Sequence, residues 1–543
     1  MQKLYSLRFR KIFIITVIAL FISQLSQAQS VYLPNSYQLY QKFNSDIYSV
    51  KSSTHTSLRP FLIDSTILHT YDSVMNVGVK DRKTWGGRKL FNEHLFDVKA
   101  KEYTFYADYI TDVQAGRDFN KSTTTNLNVR GYQIGGTVGE KFSFYTSGFE
   151  NSAKFPSYYN DYVNTNGFIP GQAYARKYTG QARNSQDWSY VTAILSYSIT
   201  KKLNITLGED KMFIGDGYRS VLLSDFAANM PLLRLTADLG PVRYMIAWAY
   251  IEDLASTNAP EFDYFGGNRR KWALFHYIDW NITKRASFGM FNALITPEAD
   301  NQGNRSGFDA NFVNPILFAS SLGPGGYQKD NVFLGFNAKY KIFDKAALYG
   351  QIMFDRFKGS DFFSGNSTDN TNGWQLGIRG ADIFKVKRLN YLFEYNTVKP
   401  YTYSNQQTIS SYSFYGDPLA HPYGANFREF LGILNYSVGR FDFQGQINYA
   451  KYGLDALKTD NNGKIITKPF VPSANTTTTI GQGLSTQLYY GEGTVAYILN
   501  PKYNLRLELG ALYRQEKNDQ KDSKNTLITF GLRSSFRNLY HDF

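Results

Sequence analysis

The stretch Tyr503-Asn504-Leu505-Arg506-Leu507-Glu508-Leu509-Gly510-Ala511-Leu512-Tyr513-Arg514 decides the fold class. Successive side chains of an extended strand point to opposite sides. Tyr503, Leu505, Leu507, Leu509, Ala511 and Tyr513 therefore share one face, and Asn504, Arg506, Glu508, Gly510 and Arg514 share the other. One face is apolar and the other polar. A half-buried soluble sheet has the same pattern; what separates the two cases is repetition. Here the alternation recurs to the end of the chain, with connections that switch between tight and long, as in a membrane barrel that is greasy outside and wet inside.

Outward from that stretch, strands are expected near 102–115, 124–137, 141–150, 187–199, 202–210, 231–238, 241–252, 270–280, 285–296, 331–341, 345–357, 372–380, 386–396, 428–438, 440–452, 486–499, 502–515 and 525–536. That is about eighteen strands, an even number as bacterial single-chain barrels have, most of them near the length a tilted strand needs to cross a bilayer. Tight turns are expected at Gly139-Glu140, Thr200-Lys201, Leu239-Gly240, Asn281 to Lys284, Phe343-Asp344, Gly439 and Asn500-Pro501, and long loops at 151–186, 211–230, 253–269, 297–330, 358–371, 397–426 and 453–485. Short turns belong on the periplasmic side and long loops outside, so the first strand runs outward and the last returns to the periplasm, ending at the terminal aromatic Phe543. Backbone groups in lipid find no water, so the sheet has to close on itself. The fold class is all-β, a closed antiparallel transmembrane β-barrel of about 18 strands with a short α-helical N-terminal periplasmic region. A secreted β-sandwich or propeller is the rival, and neither needs tight and long connections to alternate.

The N-terminus carries the address. Lys3, Arg8, Arg10 and Lys11 precede an apolar run from Ile12 to Phe21, too short to span a bilayer, and Ser26-Gln27-Ala28 supplies small residues for cleavage after Ala28. Residues 1–28 are thus expected to be a Sec signal peptide, 29–100 a helical periplasmic or plug region, and 101–543 the barrel. In 29–100, three helices are expected: Leu39, Phe43, Ile47 and Val50 after Asn35-Ser36; Ile67, Leu68, Tyr71, Val74 and Met75 after Asp64-Ser65; and Leu90, Phe91, His94, Leu95 and Val98.

Composition narrows the function. Cysteine is absent, which excludes a disulfide framework, a thiolate metal site or nucleophile, and a lipidated mature N-terminus. Mean hydropathy is −0.38, a value that barrels reach by averaging a lipid face with a hydrated lumen. The formal charge of +14 leaves a basic mature chain once the four cations of the leader are removed. That balance suits anionic partners such as lipopolysaccharide or acidic polysaccharide, or simply a solvated basic surface, and export argues against nucleic acid. The six histidines have no metal-ligand spacing, neither a Gly-x-Ser-x-Gly nor a His-Glu-x-x-His motif occurs, and no cofactor is expected. Ser413, Asp417 and His421, in one long loop, are the only candidates for a hydrolytic site, and a polar surface loop is the better reading of them.

Two loop segments combine glycine turns with aromatics, carboxylates and arginine: Gly208 to Asp225, and Ser413 to Glu429 with Phe393-Glu394-Tyr395 before it. Aromatic faces stack on sugar C–H surfaces while Asp, Asn and Arg bond hydroxyls. On that chemistry the glycan-binding candidates are Asp216, Tyr218, Arg219, Asp225, Tyr415, Asp417, His421, Asn426 and Arg428. The alternative is that both loops fold inward and pack on each other.

These two loops, with Asn314-Pro315 and His55-Thr56-Ser57-Leu58-Arg59-Pro60-Phe61, resemble the Wzi-type capsule-assembly barrels and, more closely, the RemB-type gliding-motility outer-membrane proteins of the Bacteroidetes. The resemblance spans nearly all of the mature chain. It implies a non-enzymatic cell-surface barrel supporting gliding or adhesion, or holding capsular polysaccharide. The implied partners are outer-membrane lipid and lipopolysaccharide, surface or capsular polysaccharide, and periplasmic or motility-machinery proteins. A passive diffusion porin is the further alternative, with Arg506, Glu508, Arg514, Gln444 and Asn448 lining its lumen.

Overall fold

The computed structural model describes residues 31–176, 184–254, 268–299, 314, 316–317, 331–356, 370–470 and 478–543. The leader 1–28, Pro315 and most of the 253–269, 297–330 and 358–371 loops lie outside the described residues. Eighteen antiparallel strands close into one barrel. They are β1 Tyr103–Asp118, β2 Thr123–Val138, β3 Phe142–Lys154, β4 Gln186–Thr200, β5 Leu203–Asp210, β6 Met230–Asp238, β7 Val242–Leu254, β8 Asn268–Asn281 and β9 Ala286–Pro297. The second half is β10 Asn331–Phe343, β11 Ala346–Arg356, β12 Thr371–Gly380, β13 Leu389–Val398, β14 Phe427–Val438, β15 Phe441–Leu454, β16 Leu484–Asn500, β17 Leu505–Lys517 and β18 Asp522–Arg533.

Each strand pairs with the next, and β18 closes on β1 through Leu527↔Asp118 to Leu532↔Val113. Where β18 stops, the short strand Phe96–Lys99 takes over the edge of β1 from Ala107 to Thr104. Two segments thus share the seam, with Asp108 to Asp112 of β1 between them, where Ser534 reaches the Thr111 carbonyl.

The alternation that identified the fold is the alternation observed. On β17, Leu507, Leu509 and Tyr513 stand on the outer surface while Arg506, Glu508, Leu512 and Arg514 point in and are buried. The strand begins only at Leu505, because Pro501–Tyr503 forms a 3-10 turn and Asn504 takes a left-handed φ of 54°. Among the described residues, no helix is long and apolar enough to cross a membrane.

One end of the barrel carries short turns. Two of them place glycine where the hairpin requires positive φ, Gly240 at 83° and Gly439 at 57°. The other end carries long connections, with two exceptions at 119–122 and 518–521, which are tight turns of four residues. Those two flank the closing strands β1 and β18, so the long loops rise from the rest of the rim.

Three expectations need correction. The last strand ends at Arg533, so Phe543 does not terminate it; residues 534–543 turn back into the lumen instead. The third helix covers only Trp85–Phe91, and Val98 lies in the strand that completes the seam. The first set is broken into Tyr37–Tyr40, a 3-10 turn at Gln41–Phe43 and Asn44–Ile47, and Ser36 makes no side-chain cap. The Ser65–Met75 helix does start as expected, with Asp64 accepting from the Ile67 amide at 2.8 Å.

Candidate functional site in the barrel lumen

Inward-facing side chains of the strands are polar, and a polar group shut away from water has to find partners. Here chain segments entering from both ends supply them. From the short-turn end, Asn44 Oδ1 accepts from Arg379 of β12 at 2.7 Å, Gln41 accepts from Asn390 of β13 at 2.6 Å, and the Ile47 carbonyl accepts from Lys341 of β10 at 3.2 Å. Phe43, Phe61 and Ile67 form an apolar cluster beside Ala347 of β11.

From the other end, residues 211–229 descend and meet the N-terminal segment. Leu58-Arg59 pairs as a two-residue sheet with Phe213-Ile214, Arg59 donates to the Gly217 carbonyl at 2.9 Å, and its guanidinium stacks 4.3 Å over Phe213. The two sequence segments that stood out separately are one packed unit. Asp216 lies at its centre, fully buried, accepting from Tyr48 at 2.8 Å and from Thr56, with Lys339 at 3.7 Å. Burial alone would raise this carboxyl, but Lys339 and the two hydroxyls outweigh it and hold it below the usual carboxylate range.

Arg219 forms a second node. Its guanidinium donates to Glu429 of β14 at 3.2 Å, and to the Asp542 carboxylate at 2.9 Å and carbonyl at 2.8 Å. Glu429 also accepts from Asn396 at 3.0 Å, Asn448 at 3.1 Å and His421 at 2.8 Å. Burial drops His421 to about 4, so its imidazole is neutral and donates from Nε2, leaving Nδ1 to accept from the Tyr423 amide at 3.2 Å. Glu394 of β13 accepts the amides of Tyr218 and Arg219 and the Tyr349 hydroxyl, at 2.6, 3.2 and 2.7 Å. Losing either member of such a buried pair leaves the other charge without a partner.

The C-terminal tail is part of the node. Asp542 accepts from Gln446 of β15 at 2.6 Å and from Tyr218 at 3.2 Å, while the Phe543 ring packs 4.7 Å from Tyr162 and 5.0 Å from Tyr159. Between tail and wall remains a polar cavity of about 160 Å³, lined by Gln444, Glu492, Arg506, Glu508, Arg533 and His541. Most of its charges are paired: Arg506 meets Glu508 at 2.7 Å, and Arg533 meets Glu508 at 2.9 Å and Asp112 at 2.5 Å, while Glu492 accepts from the Tyr490 hydroxyl at 2.7 Å.

The sequence-derived candidates therefore divide. Asp216, Arg219, Asp417, His421 and Asn426 are buried in the filling. Tyr218 and Asp225 are half-buried, and Asp225 accepts from Tyr540 at 2.6 Å. Asn426, at a φ of 58°, bonds the carbonyls of Gly453, Asn462 and Gln482 and so ties the start of β14 to the end of β15 and to two points of the connection after it. Asp417 accepts from Tyr162 at 3.0 Å and the Gly171 amide at 3.2 Å, and burial lifts it to about 8.

Of the remaining candidates, Arg428 is exposed and points outward from β14, while Tyr415 is half-buried, like Tyr218 and Asp225, with its ring 4.2 Å from Tyr174 and 4.1 Å from Phe414. Ser413, Asp417 and His421 do not converge: Ser413 bonds Asp253 at 2.6 Å, Asp417 bonds Tyr162, and His421 bonds Glu429. Sequence reasoning missed Asp542 because a terminal aromatic read as the end of a strand. The signal was available in residues 534–543, where the alternation stops.

No family model and no curated protein matches this chain. Solved structures do. Wzi from Escherichia coli, described as an outer membrane protein involved in group 1 capsule assembly and a carbohydrate-binding β-barrel, superposes with a TM-score of 0.54 at 12% identity, over 94% of this chain and 100% of its own. OprD from Pseudomonas aeruginosa gives 0.43 at 12% identity over 82% and 99%, and OpdK from the same organism gives 0.42 at 9% over 80% and 98%. At such identities the likeness concerns the fold, a barrel type found in outer-membrane proteins.

Proposed function

We propose that this chain is a non-enzymatic outer-membrane barrel that engages surface polysaccharide through its long-loop end and supports gliding or adhesion. The observation that carries the reading is the lumen filling. Residues 31–61, 211–229 and 534–543 occupy the space that a solute would need, and their polar groups are matched to the wall by hydrogen bonds and ion pairs. A barrel of this strand number is wide enough to conduct when empty. A sealed one keeps its membrane wall and its rim, so its work lies at the rim. The basic mature charge, the ring surface of Tyr415 with Tyr174, and a fold shared with a carbohydrate-binding barrel support this reading.

The closely related alternative is capsule or exopolysaccharide attachment of the Wzi kind. A deletion strain scored for both surface spreading and capsule retention separates the two: loss of spreading alone supports gliding, and loss of capsule alone supports attachment. Purified protein retained on acidic glycan at low salt, and released when Tyr415 becomes alanine, supports both. Absence of any glycan retention argues against both. Planar-bilayer recording addresses the porin reading, which predicts steady large conductance where a sealed barrel predicts silence.

A further inference from the structure

The outer wall of β14 and β15 carries a second feature that the rim does not explain. Arg428 and Lys451 stand directly opposite each other in register, both exposed, and neither makes an ion pair with a described residue. Directly opposed like charges in neighbouring strands destabilise a sheet unless something lies between them. The row continues through Gln487 to Lys517 on β17; Lys517 faces Asp522, which also lies 3.7 Å from Lys524. The unbalanced charge is therefore concentrated at Arg428 and Lys451.

One step toward the barrel's middle, outward rings form a band: Tyr395 against Phe430 at 4.8 Å, and Tyr449 against Tyr489 at 5.2 Å. Bands of this kind mark the membrane–water boundary. A further step brings Gly432, set between Phe393 and Ile447. A Cβ there would lie 3.1 Å from the Phe393 ring and 3.3 Å from Ile447, so glycine leaves open an apolar groove of about 530 Å³ walled by Leu376, Phe393, Phe430, Ile447 and Tyr449. At roughly 3.3 Å per residue, groove floor and cations are about 13 Å apart along β14.

We propose that this face binds a phosphate-bearing membrane lipid, with Arg428 and Lys451 holding the phosphate and the Gly432 groove taking an acyl chain. The inference rests on the membrane reading of the barrel and is independent of the polysaccharide reading. A phosphate between the two cations cancels their repulsion, and the ring band sets its depth at the interface.

The test uses the full mature chain in detergent, with bis-phosphorylated lipid A as probe and retention followed by native mass spectrometry. R428Q or K451Q is expected to weaken retention roughly fivefold and the double variant about thirtyfold. G432L, which fills the groove while keeping both cations, is expected to weaken lipid A but not inorganic phosphate. R117Q, an exposed cation on the outer face of β1, leaves retention unchanged. Equal retention by the double variant and the parent overturns the site. So does competition by inorganic phosphate at the same concentration as lipid A, since that makes the pair a plain anion site. A mature chain that stays monodisperse without detergent overturns the membrane reading itself, and this inference with it.

Discussion

The outer wall of the barrel and its filling obey different physics. The wall is periodic, because each strand shows one face to lipid, and Leu507, Leu509 and Tyr513 repeat every second residue with the same chemistry. The filling is aperiodic, because its buried polar groups are matched to particular distant partners, as Arg219 is to Glu429 and Asp542. A wall residue can be exchanged for another apolar residue at little cost. A filling residue cannot be removed without stranding its partner.

Breaking the filling is expected to have the largest effect. Arg219→Ala leaves Glu429 and Asp542 buried with no counter-charge and should cost about 3–5 kcal/mol, read as the unfolding free energy of the barrel in lipid vesicles. If the loss is within the range of a surface substitution, the node is not structural. On the wall, Leu509→Ala should cost far less, while Leu509→Arg should cost about 2–4 kcal/mol if the residue lies at mid-bilayer. A neutral result for Leu509→Arg would mean that this face meets water and not lipid.

A finer test concerns pH. Asp417 holds its proton up to about 8 in the folded chain, whereas an unfolded aspartate releases it near 3.9. Between those values the folded state binds more protons, so this group's contribution to stability is complete below about 4 and is lost as pH rises through 8. Parent protein should therefore lose stability across that window, and Asp417→Asn should flatten the slope; an unchanged slope would assign it to another group. The smallest expected effect is Tyr415→Phe, which keeps the ring stacked on Phe414 and beside Tyr174 and should leave thermal stability within about 0.5 kcal/mol. A large loss there would place Tyr415 with the filling instead of the surface.

How much was legible follows the same division. The eighteen strands and their inward faces were readable from runs such as Phe441 to Tyr449, where period two needs no knowledge of any other strand. The aromatic and charged loops at 208–225 and 413–429 were recognisable as unusual, but their placement was not. Whether Arg219 meets a ligand or Glu429 depends on residues 210 positions apart in the chain. The tail was misread for the same reason, since Phe543 looks alike at the end of a strand and in a pocket beside Tyr162.

By itself the sequence determined a closed, two-faced sheet with basic character and long connections at one end, because lipid outside and polar groups inside impose a rule on every strand separately. Only the tertiary structure decided that the lumen is filled, that the prominent loop residues bond one another, and that Arg428 and Lys451 stand side by side. Those outcomes depend on which distant groups meet, and on the requirement that each charge removed from water find an opposite charge or a hydrogen bond.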